Sequence, residues 1–260
     1  MTNSTSYKIV EKRSFRKICR IFFLFFLGDT LNSFILLLKK NRKYHFDNSK
    51  YIGINLGSST DNPPRWIGLS GGVTIFFVNL PKFLLYLAFP FSLRSKKQSF
   101  SDFYKEVKTG KVIHHNLFYG IPFKNDTVQN VFSSHFVEHL TYDSASFLMA
   151  ESFRVLQPGG FIRILVPSLQ SEVEKMKQAI EEFEKGNNQP IQTFVTEPYQ
   201  DLMDSFSHHH FMYDGLALQK IISQVGFTEV EIKQLGEGKF PDLNLLEKRK
   251  SVIVEAKKPL

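Results

Sequence analysis

Apolar residues along this chain fall into short runs separated by proline, glycine and polar turn signals, the pattern of buried parallel strands alternating with helices. Tyr51–Gly57 (YIGINLG) reads as a strand closing on glycine, and Trp66–Leu69 as a second strand after a polar loop holding Pro63 and Pro64. Val112–Leu117 is a third and Val128–Ser133 a fourth, closing on Ser133, Ser134 and His135. Asp143–Leu156 reads as a helix with Phe147, Leu148, Phe153, Val155 and Leu156 on its apolar side, stopped by Pro158-Gly159-Gly160. Phe161–Val166 is the next strand, and Glu172–Lys185 a charged surface helix. Asp214 caps a helix that places Leu218, Ile221, Ile222 and Val225 on one face before Gly226 closes it. Thr228–Lys233 and Ser251–Ala256 read as strands of an antiparallel edge. The alternation predicts an α/β fold: a doubly wound, mostly parallel sheet with a terminal antiparallel strand.

Two apolar blocks stand outside this alternation. Val73–Leu93 has Pro81 placed to start a helix and Pro90 to end it, and with the residues up to about 109 it reads as an insertion. It is either a helix covering a sheet edge or a second membrane-contacting or acceptor-lid element. The other block, Ile21–Leu38, has the length of a spanning helix but is interrupted by Asp29, Asn32 and Ser33. A charge near mid-bilayer costs about 3 kcal/mol, which speaks against a clean span. Leu24, Leu27, Leu31, Phe34, Ile35 and Leu38 instead form one helical stripe between basic clusters, as in an interfacial helix. Contact with a membrane surface, packing on the protein's own core, and a true span or signal anchor remain three readings. Residues 1–46 thus form a basic, apolar arm and residues 47–260 the main domain.

Charge sharpens this division. Residues 1–50 hold 11 Lys and Arg against Glu11, Asp29 and Asp47, which accounts for the whole net charge of +8. Basicity pooled on the arm points to an anionic surface, and the 27 phenylalanines, many in the first hundred positions, favour lipid over nucleic acid. The anionic membrane surface is therefore assigned to residues 12–43. A single cysteine, Cys19, excludes an internal disulfide framework, and no Cys/His spacing suggests zinc; we expect no metal site and a cytoplasmic protein, peripheral at the inner membrane face.

In an open α/β sheet ligands bind beyond the carboxyl ends of the strands. Those ends carry Gly57-Ser58-Ser59, Leu69-Ser70, Asn116-Leu117 and Ser134-His135. Ile54-Asn55-Leu56-Gly57-Ser58-Ser59, Arg65-Trp66-Ile67-Gly68-Leu69-Ser70, Asn116-Leu117 with Ile121-Pro122-Phe123, Ser133-Ser134-His135-Phe136-Val137-Glu138-His139, Arg154 to Gly160, and Met212-Tyr213-Asp214 through Val225-Gly226-Phe227 follow one another in the order of a known family. In these segments the chain resembles class I S-adenosylmethionine (SAM)-dependent methyltransferases of the type 11 branch, often associated with surface-polysaccharide genes. The resemblance spans roughly Tyr51 to Gly236 outside the insertion.

The resemblance implies a Rossmann-like fold, SAM as cofactor, and a cofactor site at Asn55, Gly57, Ser58, Ser59, Ser70, Asn116, Leu117, Ser134 and His135. It also marks departures. Ser59 stands where the family has a second glycine, Ser70 where it has a ribose-binding acid, and Asn116 where it has aspartate; Gln129 and Ser168 replace usual acids. Methyl transfer is an in-line displacement, for which a hydroxyl acceptor needs a base. His135, with Glu138 and His139 as neighbours, is the candidate, unless it serves to cap the next helix or position the cofactor. His208-His209-His210 are a polar loop or a further base on the acceptor side.

These features suggest a methyltransferase acting on a small or glycan-type acceptor. The alternative is a catalytically inactive, methyltransferase-like binding or scaffold protein in a surface-polysaccharide pathway. A nicotinamide-dependent dehydrogenase lacks its G-x-G-x-x-G, and a nucleic-acid amino-methyltransferase lacks its aromatic-prolyl motif.

Overall fold

A computed structural model describes residues 28–60, 62–91, 97–108, 110–187, 211–249 and 251–260. The basic cluster at 12–20, the first half of the apolar run and His208–His210 lie outside the described residues.

Seven strands form one sheet in the order β3-β2-β1-β4-β5-β7-β6. They are β1 (Gly53–Leu56), β2 (Trp66–Ser70), β3 (Lys111–His114), β4 (Val128–Ser134), β5 (Leu156–Val166), β6 (Thr228–Lys233) and β7 (Val252–Lys257). The first five run parallel, while β7 is antiparallel to both β5 and β6. Ile54, Leu56, Ile67, Leu69, Val131, Ile162 and Ile164 are fully or almost fully buried, as central strands covered on both faces require. The strand order reverses between β1 and β4, which places a crevice at their carboxyl ends.

The final two strands differ from the sequence-based expectation in position. Buried β7 (VIVEAK) is inserted between β5 and β6, and β6 alone takes the edge because most of its residues face solvent. The segment Pro158-Gly159-Gly160 also differs: it is part of β5 and not a helix-stopping loop. Residues from Leu156 to Phe161 span the register from Val128 to Asn130, so the extra residues form an irregularity in the ladder. Gly159 has φ of +78°, and its N–H donates to the Lys258 carbonyl.

Helices fill the connections. Helix α1 covers residues 28–38. The β2-to-β3 crossover contains α2 (Val73–Val78), α3 (Lys82–Ala88) and α4 (Phe100–Lys108), with Pro81 at the N-cap of α3 as its position predicts. Ile75, Val78, Leu85, Phe103 and Val107 give this crossover a small core of its own. Helix α5 (Tyr142–Val155) is capped by Thr141, α6 (Leu169–Glu184) by Ser168, and α7 (Gly215–Gln224) by Asp214, whose carboxylate accepts from Ala217 N at 2.7 Å. Helix α6 starts three residues earlier than its charge pattern suggests, because Ser168 supplies the cap. A last short helix, α8 (Leu243–Leu246), precedes β7. Among the described residues no helix is long and apolar enough to cross a membrane.

A buried ionic cluster ties β5 to the chain's end. Arg163, fully buried, donates to Glu247 and Glu255, each at 2.5 Å. Gly238 passes so close that a Cβ there would meet both Arg163 and Glu255 within 2.7 Å.

Candidate cofactor and acceptor site

The loop after β1 is shaped by Gly57. Its φ is +69°, in the left-handed region that glycine tolerates best, and its N–H donates to the Leu69 carbonyl. A Cβ on Gly57 would stand 2.1 Å from Cγ of Phe136, so the Phe136 ring covers the face that the missing side chain leaves open. Ser58 turns away from the crevice: it is buried beneath β2, where a Cβ at Gly68 would lie 2.1 Å from Ser58 Oγ, and its hydroxyl has no hydrogen-bond partner. Asn55 is also turned inward, donating to Asn62 Oδ1 at 3.1 Å; Asn62 in turn donates to the Trp66 carbonyl and closes the β1–β2 loop. Ser59 is exposed at the loop's tip.

Ser70 ends β2 with its hydroxyl accepting from Gly72 N at 3.4 Å, which leaves its proton available to a ligand. Asn116 caps the short 3-10 turn Leu117–Tyr119 by accepting from Phe118 N at 3.0 Å, so its amide nitrogen is the group left over. Leu117 is buried in the main core. Ser134, at the end of β4, is half-buried and paired in register with Leu165. The strand ends therefore bring Gly57, Ser59, Ser70, Asn116 and Ser134 to one edge of the sheet, while Asn55, Ser58 and Leu117 serve loop closure and core. A neutral hydrogen-bonding set of this kind fits a nucleoside, with each contact about half as strong as a carboxylate would give.

The candidate base lies next along β4. His135 has φ of +51°, uncommon for a non-glycine residue and of the kind concentrated at functional sites. Its Nδ1 is 3.4 Å from Glu138 Oε1, within ion-pair range though outside hydrogen-bonding geometry, and its Nε2 is 3.0 Å from Ser251 Oγ. Both ring nitrogens thus face protein atoms. Glu138 is 1% exposed and neither carboxylate oxygen has a hydrogen-bond donor. His139 ends the 3-10 turn Val137–His139, with its N–H bonded to the Phe136 carbonyl.

Tyr213, close enough to Glu138 for its charge to be felt, was not among the site residues expected from sequence. It is 1% exposed, its hydroxyl is unpartnered, and burial, reinforced by Tyr142 and Glu138, pushes it up to about 12. Two features pointed to it: the Tyr-Asp dipeptide, and an aromatic immediately before a helix cap. Ser251 carried no local signal, since it reaches His135 across 116 residues of sequence.

Helix α1 forms one wall at the ends of β2 and β3. Asn32 donates to the Gly71 carbonyl at 3.0 Å and its Oδ1 lies 2.7 Å from His114 Nε2, while Lys39 Nζ is 3.3 Å from His114 Nδ1. Burial, with Lys39 and His115 adding to it, lowers His114 to about 4, so the ring is neutral near pH 7. Among the described residues no group of three or more His, Cys, Asp and Glu side chains is placed to hold a metal ion.

Residues 94–164 match the family model described as "Methyltransferase domain". The matched segment lies within the sheet described above, whose strand order is that of a Rossmann-like fold. No curated protein matches the chain. Among solved structures, a SAM-dependent methyltransferase from Archaeoglobus fulgidus is similar at 15% identity and TM-score 0.45, covering 89% of this chain and 94% of its own. Phosphoethanolamine N-methyltransferase 2 of Haemonchus contortus, in complex with SAM, is similar at 12% identity and TM-score 0.40, covering 89% of this chain and 53% of its own. The SAM-dependent methyltransferase SibL is similar at 10% identity and TM-score 0.42; the matched region covers 82% of this chain and about half, 52%, of SibL.

Proposed function

We propose that the protein is a SAM-dependent methyltransferase that transfers a methyl group to a small or glycan-type acceptor at a membrane surface. The observation that carries this reading is the gathering of Gly57, Ser70, Asn116 and Ser134 at the strand-order reversal, next along β4 to the His135–Glu138 pair. When bound, SAM supplies an activated methyl group on sulfur. The chain's own part is to hold nucleoside hydroxyls and base through Ser70, Asn116 and Ser134, to align the acceptor, and to receive its proton at His135. Glu138, buried 3.4 Å from Nδ1, orients the imidazole. Ser251 occupies Nε2 until an acceptor hydroxyl replaces it. The surface-polysaccharide connection belongs to this reading through the family resemblance alone.

A second reading, a non-catalytic binding or scaffold relative, is favoured by two observations: the Phe136 ring lies over Gly57, and no carboxylate stands at the end of β2. Incubation of the protein with methyl-labelled SAM and extracted glycans or lipid-linked sugars tests the first reading. Label should move to the acceptor fraction, and His135→Gln should slow the transfer by about 10²-fold or more, the usual contribution of a general base. Turnover unchanged in His135→Gln would remove His135 from that role. Absence of transfer together with absence of SAM binding would establish the second reading.

A further inference from the structure

The apolar helix faces that this fold leaves outward are of two electrostatic kinds. On α1, Leu31, Phe34, Leu37 and Leu38 are 49–70% exposed, whereas Asn32 and Leu36 on the opposite side are buried. Helix α3 behaves alike: Leu85 points into the core while Phe83, Tyr86 and Leu87 are 60–65% exposed. The one acid of α1, Asp29, sits in its first turn; none occurs from Thr30 to Phe46, where Lys39, Lys40, Arg42 and Lys43 follow the apolar stripe, and none occurs in α3, which opens on Lys82. Helix α6 is the contrast. Its exposed Val173, Met176, Ile180 and Phe183 share the helix with Glu174, Glu181, Glu182 and Glu184.

An anionic bilayer attracts apolar faces bordered only by cations and repels one bordered by carboxylates. Helices α1 and α3 both adjoin α2. A Cβ on Gly28, at the start of α1, would lie 4.0 Å from Val73 of α2, and Pro81 leads from the end of α2 into α3. Their outward apolar side chains together expose on the order of several hundred Å². A bilayer fits such convex helical faces, because apolar side chains enter the acyl boundary while lysine and arginine stay at the headgroups.

We infer that α1 and α3 together form a docking surface for an anionic lipid bilayer. The inference extends the membrane contact of residues 12–43 to a second element and does not depend on methyl transfer. One consequence bears on the acceptor: α1 is bonded through Asn32 to Gly71 at the crevice, so docking presents the site to amphiphilic molecules.

Co-sedimentation of the full chain with phosphatidylcholine vesicles, with and without added phosphatidylglycerol, tests this. Binding should require phosphatidylglycerol and weaken with salt. Phe83→Ser with Leu87→Ser should weaken it about tenfold or more, and Val173→Ser with Ile180→Ser on α6 should leave it unchanged. All four positions are exposed, and circular dichroism verifies that both double variants stay folded. Equal binding by the α3 variant and the parent chain overturns the inference, as does failure of the full chain to bind. A dimer in light scattering that the α3 variant dissociates, without vesicle binding, would instead identify a second copy as the occupant and also overturn it. Calorimetry with SAM on the same preparations keeps the two readings separate, since loss of vesicle binding with SAM binding intact refutes the docking surface alone.

Discussion

Replacing Gly57 by alanine tests the packing at the head of the crevice. The added methyl would stand 2.1, 2.4 and 2.5 Å from Cγ, Cδ2 and Cβ of Phe136, distances that force the ring or the loop to move. Holding alanine at φ of +69° costs about 1–2 kcal/mol, and overpacking at a site of this kind costs about 1–3 kcal/mol more. Gly57→Ala should therefore destabilise the domain by about 2–5 kcal/mol in urea-unfolding midpoints at constant slope. Combining it with Phe136→Ala should recover the overpacking part but not the backbone part. The double-mutant cycle should then report a coupling of about 1–3 kcal/mol. A Gly57→Ala protein within about 0.5 kcal/mol of the parent, or strictly additive costs, would show that Phe136 does not rest on Gly57 and would refute the geometry proposed for this loop.

Arg163→Met leaves Glu247 and Glu255 buried beside an uncharged side chain, and should cost about 3–5 kcal/mol in chemical denaturation; a change below about 1 kcal/mol would mean the cluster is solvated. His114 is held neutral in the fold with its value lowered to about 4 from 6.5, so its contribution is fully present above about pH 6.5 and is lost as pH falls towards 4. That acid limb should amount to about 2 kcal/mol and should flatten in His114→Leu, followed as unfolding free energy between pH 4 and 7. An unaltered acid limb in that variant would place the titrating group elsewhere.

Most strands were legible because the central sheet is buried on both faces. Ile54, Leu56, Val131, Ile162 and Ile164 make short unbroken apolar runs that few other structures accommodate. Local chemistry also announced Pro81 and Asp214 as helix starts and Gly57 as the end of the first strand. What escaped depends on contacts distant in sequence. The placement of β7 between β5 and β6 is decided by ladder pairing, to which the sequence of one strand is silent. Pro158-Gly159-Gly160 has the composition of a loop yet lies in β5, because Lys258 and Gln129 pass alongside it.

The same division applies to the site. Strand-end positions Gly57, Ser70, Asn116, Ser134 and His135 could be placed by topology alone. Which of their atoms remain available could not: Asn55 and Asn116 each commit a polar atom to local closure, and Ser58 lies under Gly68. Asn32, His114, Tyr213 and Ser251 join the crevice through long-range contacts from elements whose own sequences describe only packing. Helix α6, read from sequence as a charged surface element, carries in addition an exposed apolar stripe of Val173, Met176, Ile180 and Phe183.

Isothermal titration of the full chain with SAM, and separately with S-adenosylhomocysteine, measures the central claim most directly. One saturable site per chain is expected for both ligands, weakened in Ser70→Ala and abolished in Gly57→Ala protein that remains folded. No heat of binding from a folded parent chain at millimolar ligand would contradict a cofactor site at these strand ends.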